Sequence, residues 1–158
     1  MAIQVGDQIP DIEVSMGTPD SKISMSQICA GRKVLLFAVP GAFTPGCSRR
    51  HLPGYVQNAT TIMRKGVNLI ACIAVNDAFV MPEWGKAQGA TGKIAMLADA
   101  QGTFTKEIGL DVQAPDLGGL RSKRYSMLIE NGVVTKLNIE PNGFGLTCSL
   151  APIIIKEL

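Results

Sequence analysis

The sequence predicts an α/β fold with a mixed central sheet flanked by helices. Three observations predict it. Residues 33–39, 67–75 and 93–98 are apolar runs of the kind that strands buried on both faces require. The segments between them carry apolar residues at helical spacing, so strands alternate with helices as in a parallel sheet. Residues 124–130 and 133–139 are then two further strands joined by Asn131-Gly132, the dipeptide best suited to a two-residue hairpin.

Taken in order, residues 1–10 form an N-terminal arm stopped by Pro10. Residues 11–16 alternate as a strand, 17–21 are a turn, and 22–24 are the return strand. Ser24 or Ser26 caps a short helical turn over Met25, Ile28 and Cys29, closed by Gly31, which makes Cys29 a half-buried packing residue. After the strand at 33–39 comes a Pro/Gly-rich turn. Thr44 then suits an N-cap and Pro45 the first helical position, which makes Cys47 the third helical residue. Pro53-Gly54 should kink or restart this helix. Tyr55, Ala59, Ile62 and Met63 share one face before Gly66 ends it. Cys72 is packed within the strand at 67–75, and Asn76-Asp77 is the loop at that strand's end. Residues 78–88, with Trp84, read as a helix, 99–102 as a turn and 103–108 as a short helix. Residues 111–119 read as a polar surface loop and 141–143 as a turn. Residues 146–158 read as a C-terminal helix with Cys148 in its first turn and Thr147 as its cap.

A chain of 158 residues is about one domain, so residues 1–158 are expected to fold as a single unit. Hydrophobic content of 46% with 18% charged residues is that of a globular protein. A net charge of +2 gives no reason to expect a nucleic-acid or membrane partner, and no apolar run approaches the length of a membrane span. The first residues have neither a secretory hydrophobic region nor a transit-peptide character, which points to a cytoplasmic protein. Mitochondrial or peroxisomal residence stays open. The terminal Lys156-Glu157-Leu158 only weakly resembles a peroxisomal tail, because Glu157 stands where a basic residue is wanted.

The four cysteines, Cys29, Cys47, Cys72 and Cys148, include no C-x-x-C pair, and His51 is the only histidine. That pattern disfavours a metal site and a disulfide framework, leaving redox chemistry as the better use of the thiols. Cys47 is the focus. At the start of a helix its sulfur lies near free backbone N–H groups and the positive end of the helix dipole, with Arg49, Arg50 and His51 following. Each of these favours the thiolate, the nucleophilic form. A lone cysteine is also a common core hydrophobe, and position alone does not name the electrophile it would attack.

The spacing Pro40-x-x-x-Thr44-x-x-Cys47 resembles the signature of the peroxiredoxins. The longer string PGAFTPGCSRRHLPGY from Pro40 to Tyr55, VNDAFV at 75–80, EWG at 83–85 and GLTCSLAP at 145–152 resemble the atypical two-cysteine subgroup, peroxiredoxin 5. The resemblance implies a thioredoxin-like fold with an N-terminal extension. It implies a thiol-dependent peroxidase acting on hydrogen peroxide and alkyl hydroperoxides, without organic cofactor or metal. Cys47 would become a sulfenic acid and close an intramolecular disulfide with Cys148, which thioredoxin would reduce. A homodimer packed near the active-site face is implied as well.

Within that frame, the Thr44 hydroxyl can bond the sulfur or the peroxide, and the N–H groups of Gly46 and Cys47 can bind oxygen. Pro40 would shield the sulfur from water. Among Arg49, Arg50, Arg121 and Arg124, the resemblance carries the role of the fixed cation to Arg124. Phe43, Leu120 and Phe144 could line an apolar wall of the pocket. His51 could orient a neighbour or simply be a satisfied, partly buried histidine. A rival from another class is a peroxide sensor that relays its oxidation to a partner protein; a third reading is a domain whose thiols are structural only.

Overall fold

The apolar runs in the middle of the chain are strands covered on both faces. The computed structural model describes residues 1–158. Nine strands occur: Glu13–Met16 (β1), Lys22–Ser24 (β2), Lys33–Ala38 (β3), Leu69–Ala74 (β4), Ala95–Ala98 (β5), Asp111–Ala114 (β6), Gly119–Ser122 (β7), Tyr125–Glu130 (β8) and Val133–Ile139 (β9). Seven of them form one sheet in the order β2-β1-β5-β4-β3-β8-β9. β3, β4 and β5 run parallel, while β8 lies antiparallel to β3. The sheet is therefore mixed, with the Asn131-Gly132 turn closing the β8–β9 hairpin at positive φ of 50° and 81°.

Period-two alternation sorts these strands between two cores. Leu35, Phe37, Ile70, Cys72 and Ala74 face one side and pack with Cys47, Tyr55, Ile62, Trp84 and Ile154. Val34, Leu36, Ala38, Ala71 and Ile73 face the other side and pack with Met25, Phe104, Tyr125 and Met127. The helices that cover them are Met25–Cys29 (α1), Leu52–Gln57 (α2), Ala59–Arg64 (α3), Val80–Ala87 (α4), Thr103–Glu107 (α5) and Ala151–Glu157 (α6). None is long and apolar enough to cross a membrane.

The interruption expected at Pro53 takes a specific form. Proline has no N–H to give to the preceding turn, and the chain widens just ahead of it. Cys47–His51 is a π-helical segment in which the Leu52 N–H bonds to the Cys47 carbonyl, before α2 continues with Pro53 in its first turn.

Four expectations are corrected. Residues 111–119 are not simply a loop: β6 and β7 pair as a small second sheet around a 3-10 turn, Pro115–Leu117. The C-terminal helix starts at Ala151, not at residue 146. Pro152 explains the late start, since in the middle of a helix its ring would collide with the preceding turn, whereas the first turn accepts it. Met63 is exposed, unlike Tyr55, Ala59 and Ile62. Cys29 is wholly buried, and burial pushes its thiol up to about 11.

Candidate active site

Parallel strands open their carboxyl ends at one edge of a sheet, where α/β folds collect their chemistry. Here that edge carries the turn after β3 and the Asn76 loop after β4. Ala38 pairs with Tyr125, and Tyr125 pairs with Ile139. This register brings Arg124, at the start of β8, and Glu140, at the end of β9, to the same edge. The Glu140 N–H donates to the Arg124 carbonyl at 3.0 Å, and the Arg124 N–H to the Gly143 carbonyl at 2.7 Å.

Local hydrogen bonds shape the turn after β3. Pro40 and Gly41 are buried. The Thr44 hydroxyl donates to the Gly41 carbonyl at 2.6 Å, and the Ala42 N–H donates to Asn76 Oδ1 at 2.9 Å. Phe43 is held at φ +64°, a left-handed conformation that L-residues seldom adopt and that gathers at functional turns. The Thr44 hydroxyl is thus not the side-chain N-cap expected from its position; its backbone carbonyl accepts the Ser48 N–H at 2.9 Å and begins the helix. Trp84 anchors that helix by donating from Nε1 to Ser48 Oγ at 2.9 Å.

Cys47 is completely buried, not exposed at a helix start. The backbone N–H groups of Gly46 and Cys47 donate to no backbone acceptor. Arg124 lies beside them: a methyl group in place of the Gly46 hydrogen would be 3.3 Å from Arg124 Nη2. Arg124 is only 5% exposed and donates from Nη1 to His51 Nδ1 at 3.1 Å. A guanidinium cannot accept a hydrogen bond, so Nδ1 is the acceptor and the His51 proton sits on Nε2. From there it donates to the Ser149 carbonyl at 3.0 Å, an oxygen that also accepts from Tyr55 Oη at 2.7 Å.

Burial, and then the Arg124 charge, lower His51 from its ordinary 6.5 to about 3, so it stays neutral. The unfolded chain takes up a proton near 6.5 that folded His51 refuses until about 3, so His51 contributes stability above 6.5 that is lost as pH falls toward 3. Between pH 6.5 and the ordinary carboxylate value of 4.5, before Glu140 begins to titrate in the unfolded chain, this residue is the named contributor. Thermal denaturation should show a melting temperature falling through that window in the wild type and a clearly flatter dependence in His51→Gln. Equal slopes would contradict the assignment.

The other arginines do different work. Arg49 and Arg50 are exposed on the helix surface. Arg121 donates to the Leu117 carbonyl through Nε and Nη2 and to the Val75 carbonyl through Nη1 at 3.1 Å, tying the 3-10 turn to the end of β4 beside Gly41. Of the four candidates, Arg124 is therefore the one packed against the Cys47 helix. Phe43 and Phe144 are 58% and 40% exposed, and Leu120 packs beside Gly102. The Phe144 carbonyl accepts from Arg124 Nε at 3.4 Å, so this residue meets the site through its backbone.

All four cysteines are free. Cys72 is buried on the Cys47 side of the sheet, and its thiol is pushed well up by burial and then by Cys47. Cys148 lies half-buried in an irregular segment, not in a helix, and its thiol donates to the Ile139 carbonyl at 3.4 Å. Burial, followed by the charge of Glu140, raises this thiol, opposite to the activation expected of a helix start.

Sequence reading missed Glu140. It is only 1% exposed, yet its carboxylate accepts from the Thr147 N–H and hydroxyl and from the Ser149 N–H and hydroxyl. Burial opposes its ionisation, but these donors outweigh burial and lower the carboxyl to about 2. The signal available was an acid ending a strand, followed after a turn by Thr and Ser on either side of a cysteine. These bonds also show why Thr147 caps no helix: its donors face Glu140.

A family model described as Redoxin matches residues 4–147. Peroxiredoxin-2E, chloroplastic, of Arabidopsis thaliana is 44% identical over 99% of this chain and 70% of its own length. Among solved structures, reduced Prx3 from Vibrio vulnificus in complex with H2O2 is 48% identical, with a TM-score of 0.93 and 99% of both chains covered. Peroxiredoxin 5 from Alvinella pompejana is 40% identical, with a TM-score of 0.85 and 99% coverage of both chains. The likeness extends over the sheet, the turn that holds Cys47 and the segment after β9, and the chain belongs to the redoxin family, as a peroxiredoxin of the peroxiredoxin 5 type.

Proposed function

We propose that this thiol-dependent peroxidase reduces hydrogen peroxide and alkyl hydroperoxides at Cys47 and resolves the product through Cys148 of the same chain. The observation that carries the proposal is the packing of Arg124 against the helix start where the Gly46 and Cys47 N–H groups have no backbone acceptor. The Cys47 thiolate attacks one peroxide oxygen, the O–O bond breaks, and a Cys47 sulfenic acid forms. The other oxygen departs as alkoxide or hydroxide and takes a proton. Developing charge on it meets the guanidinium of Arg124 and the two N–H groups. The proton of Thr44 Oγ1 is committed to the Gly41 carbonyl, so toward substrate this oxygen is an acceptor that can take the peroxide O–H and set its direction. Pro40, buried behind the turn, limits water at the sulfur. The bound H2O2 of the Vibrio vulnificus relative supports this substrate class.

Cys148 then attacks the sulfenic sulfur. An S–S bond forms, the S–O bond breaks, and the oxygen leaves as water. A dithiol protein of the thioredoxin kind returns two electrons and two protons to regenerate both thiols. The exposed rings of Phe43 and Phe79, on turns at the edge that holds the site, support a homodimer packed over this face.

Cys148→Ser tests the second half. It should consume the first equivalent of peroxide at the wild-type rate, then stall with thioredoxin and accumulate sulfinic acid on Cys47. Cys29→Ser and Cys72→Ser should cycle. Steady turnover by Cys148→Ser with thioredoxin would remove Cys148 from the reaction.

A further inference from the structure

We propose that Glu140 is a positioning residue for both reactive cysteines: its carboxylate fastens Thr147 and Ser149 on either side of Cys148 and, through the Ser149 carbonyl, holds His51 and Arg124 against the Cys47 helix. The half that concerns resolution rests on the assignment of Cys148 above.

The contacts form one continuous path. Glu140 Oε2 accepts from the Thr147 N–H at 2.9 Å, the Ser149 N–H at 2.8 Å and Ser149 Oγ at 2.6 Å, while Oε1 accepts from the Thr147 hydroxyl. Those bonds fix the Ser149 carbonyl, which accepts from His51 Nε2. His51 Nδ1 accepts from Arg124 Nη1, and Arg124 Nη2 lies beside Gly46. A carboxylate that is 1% exposed and has this many donors is a strong clamp, because each bond is charge-assisted and the two from Ser149 are buried away from water.

The clamp has opposite consequences for the two halves of the cycle. While closed, it orients Arg124 for attack on peroxide. It also holds the Cys148 thiol on the Ile139 carbonyl, in a half-buried position beside a negative charge that disfavours the thiolate. A disulfide needs the two alpha carbons within about 7 Å and the sulfurs in contact, so the 147–149 segment must leave Glu140 before Cys148 can reach Cys47. Release moves Cys148 away from the burial and charge that raise its thiol. It also removes the carbonyl that accepts the His51 Nε2 proton, so the site is loosened only while the sulfenic acid is being resolved.

The test is rapid mixing of the reduced, full-length protein with hydrogen peroxide, followed by Trp84 fluorescence and mass spectrometry, with hydrogen exchange on the reduced state. Trp84 is the only tryptophan, and it is bonded to the Cys47 helix at Ser48. In Glu140→Ala, which removes all four bonds, Cys47 oxidation should slow by about tenfold and disulfide formation should quicken by about tenfold, because the released donors recover much of what they lose by bonding to water. The Thr147 and Ser149 amides should exchange faster while those of β3 and β8 stay protected. Glu140→Gln should restore much of both rates, because an amide oxygen in the Oε2 position keeps three of the bonds and its NH2 can face the rotatable Thr147 hydroxyl. If the alanine form folds poorly, Ser149→Ala, which removes one of the Oε2 bonds, takes its place and should give smaller shifts in the same opposed directions. Asp99→Asn is the control: it weakens another buried carboxylate that caps a helix, bonded to Phe104 and Thr105.

Opposed shifts of the two phases, absent from Asp99→Asn, support the proposal. Two phases that are unchanged, that slow together, or that shift alike in Asp99→Asn overturn it and leave Glu140 a support of the fold. Repeating the oxidation phase in a Cys148→Ser background separates the two assignments. If wild type shows no disulfide phase, the Cys148 assignment fails, and slower oxidation with faster amide exchange in Glu140→Ala still decides whether Glu140 positions Arg124.

Discussion

Cys47→Ser is expected to abolish peroxide reduction, with a rate loss on the order of 10⁶, while the protein still folds. The chemistry requires a polarisable anion at neutral pH, and a serine hydroxyl does not ionise there. Beside Cys47 stand two N–H groups without backbone acceptors and a guanidinium with a low exposure of 5%. The same groups can hydrogen-bond a serine oxygen, so the substitution leaves no unpaired polar atom, and its stability cost should be about 1 kcal/mol. Peroxide consumption by stopped-flow and thermal denaturation together check both statements. Residual turnover beyond a few per cent would place the reactive thiol elsewhere among the four cysteines.

Arg124→Lys should lower the rate of Cys47 oxidation by about a hundredfold although the charge is kept. Arg124 uses its fork: Nη1 is spent on His51 and Nε on the Phe144 carbonyl, which leaves Nη2 beside Gly46. A lysine ammonium can satisfy one of these directions, not three. His51 would lose its donor, and with it the bond that fixes its proton on Nε2. Arg50→Lys, on the exposed helix surface, should change the rate by less than about twofold. Comparing first-equivalent oxidation rates of the two variants reads the effect directly. Similar small losses in both would show that the cation of the site had been misassigned.

What was legible in the sequence follows from what is local. Strands buried on both faces betray themselves as apolar runs, and β3, β4 and β5 were readable for that reason; so was the β8–β9 hairpin, from Asn131-Gly132. The place of Cys47 in the first turn of a helix was readable from Thr44-Pro45 ahead of it. The burial of Cys47 was not, because it depends on Leu35 and Phe37 of β3 and Trp84 of α4 arriving from two other elements. Thr44 looked like a cap because its position suits one, yet a tight turn offered its hydroxyl the nearer Gly41 carbonyl. The β6–β7 pair was hidden by short, polar strands with no face to bury on both sides. Cys148 was placed in a helix because its neighbours have ordinary helical propensity. The deciding facts were Pro152, a local signal that outweighs propensity, and Glu140, a tertiary one that captures the Thr147 and Ser149 donors. His51 and Arg124 meet across more than seventy residues of chain, and only the register of β3 with β8 brings them together.

The most direct measurement is to treat the reduced protein with one equivalent of hydrogen peroxide, quench with an alkylating agent, and map every cysteine by mass spectrometry alongside non-reducing electrophoresis. A single Cys47–Cys148 disulfide in a chain that still migrates as a monomer, with Cys29 and Cys72 alkylated after denaturation as thiols, is the predicted result. A covalent dimer that disappears in Cys148→Ser, or oxidation first on Cys29 or Cys72, would contradict it.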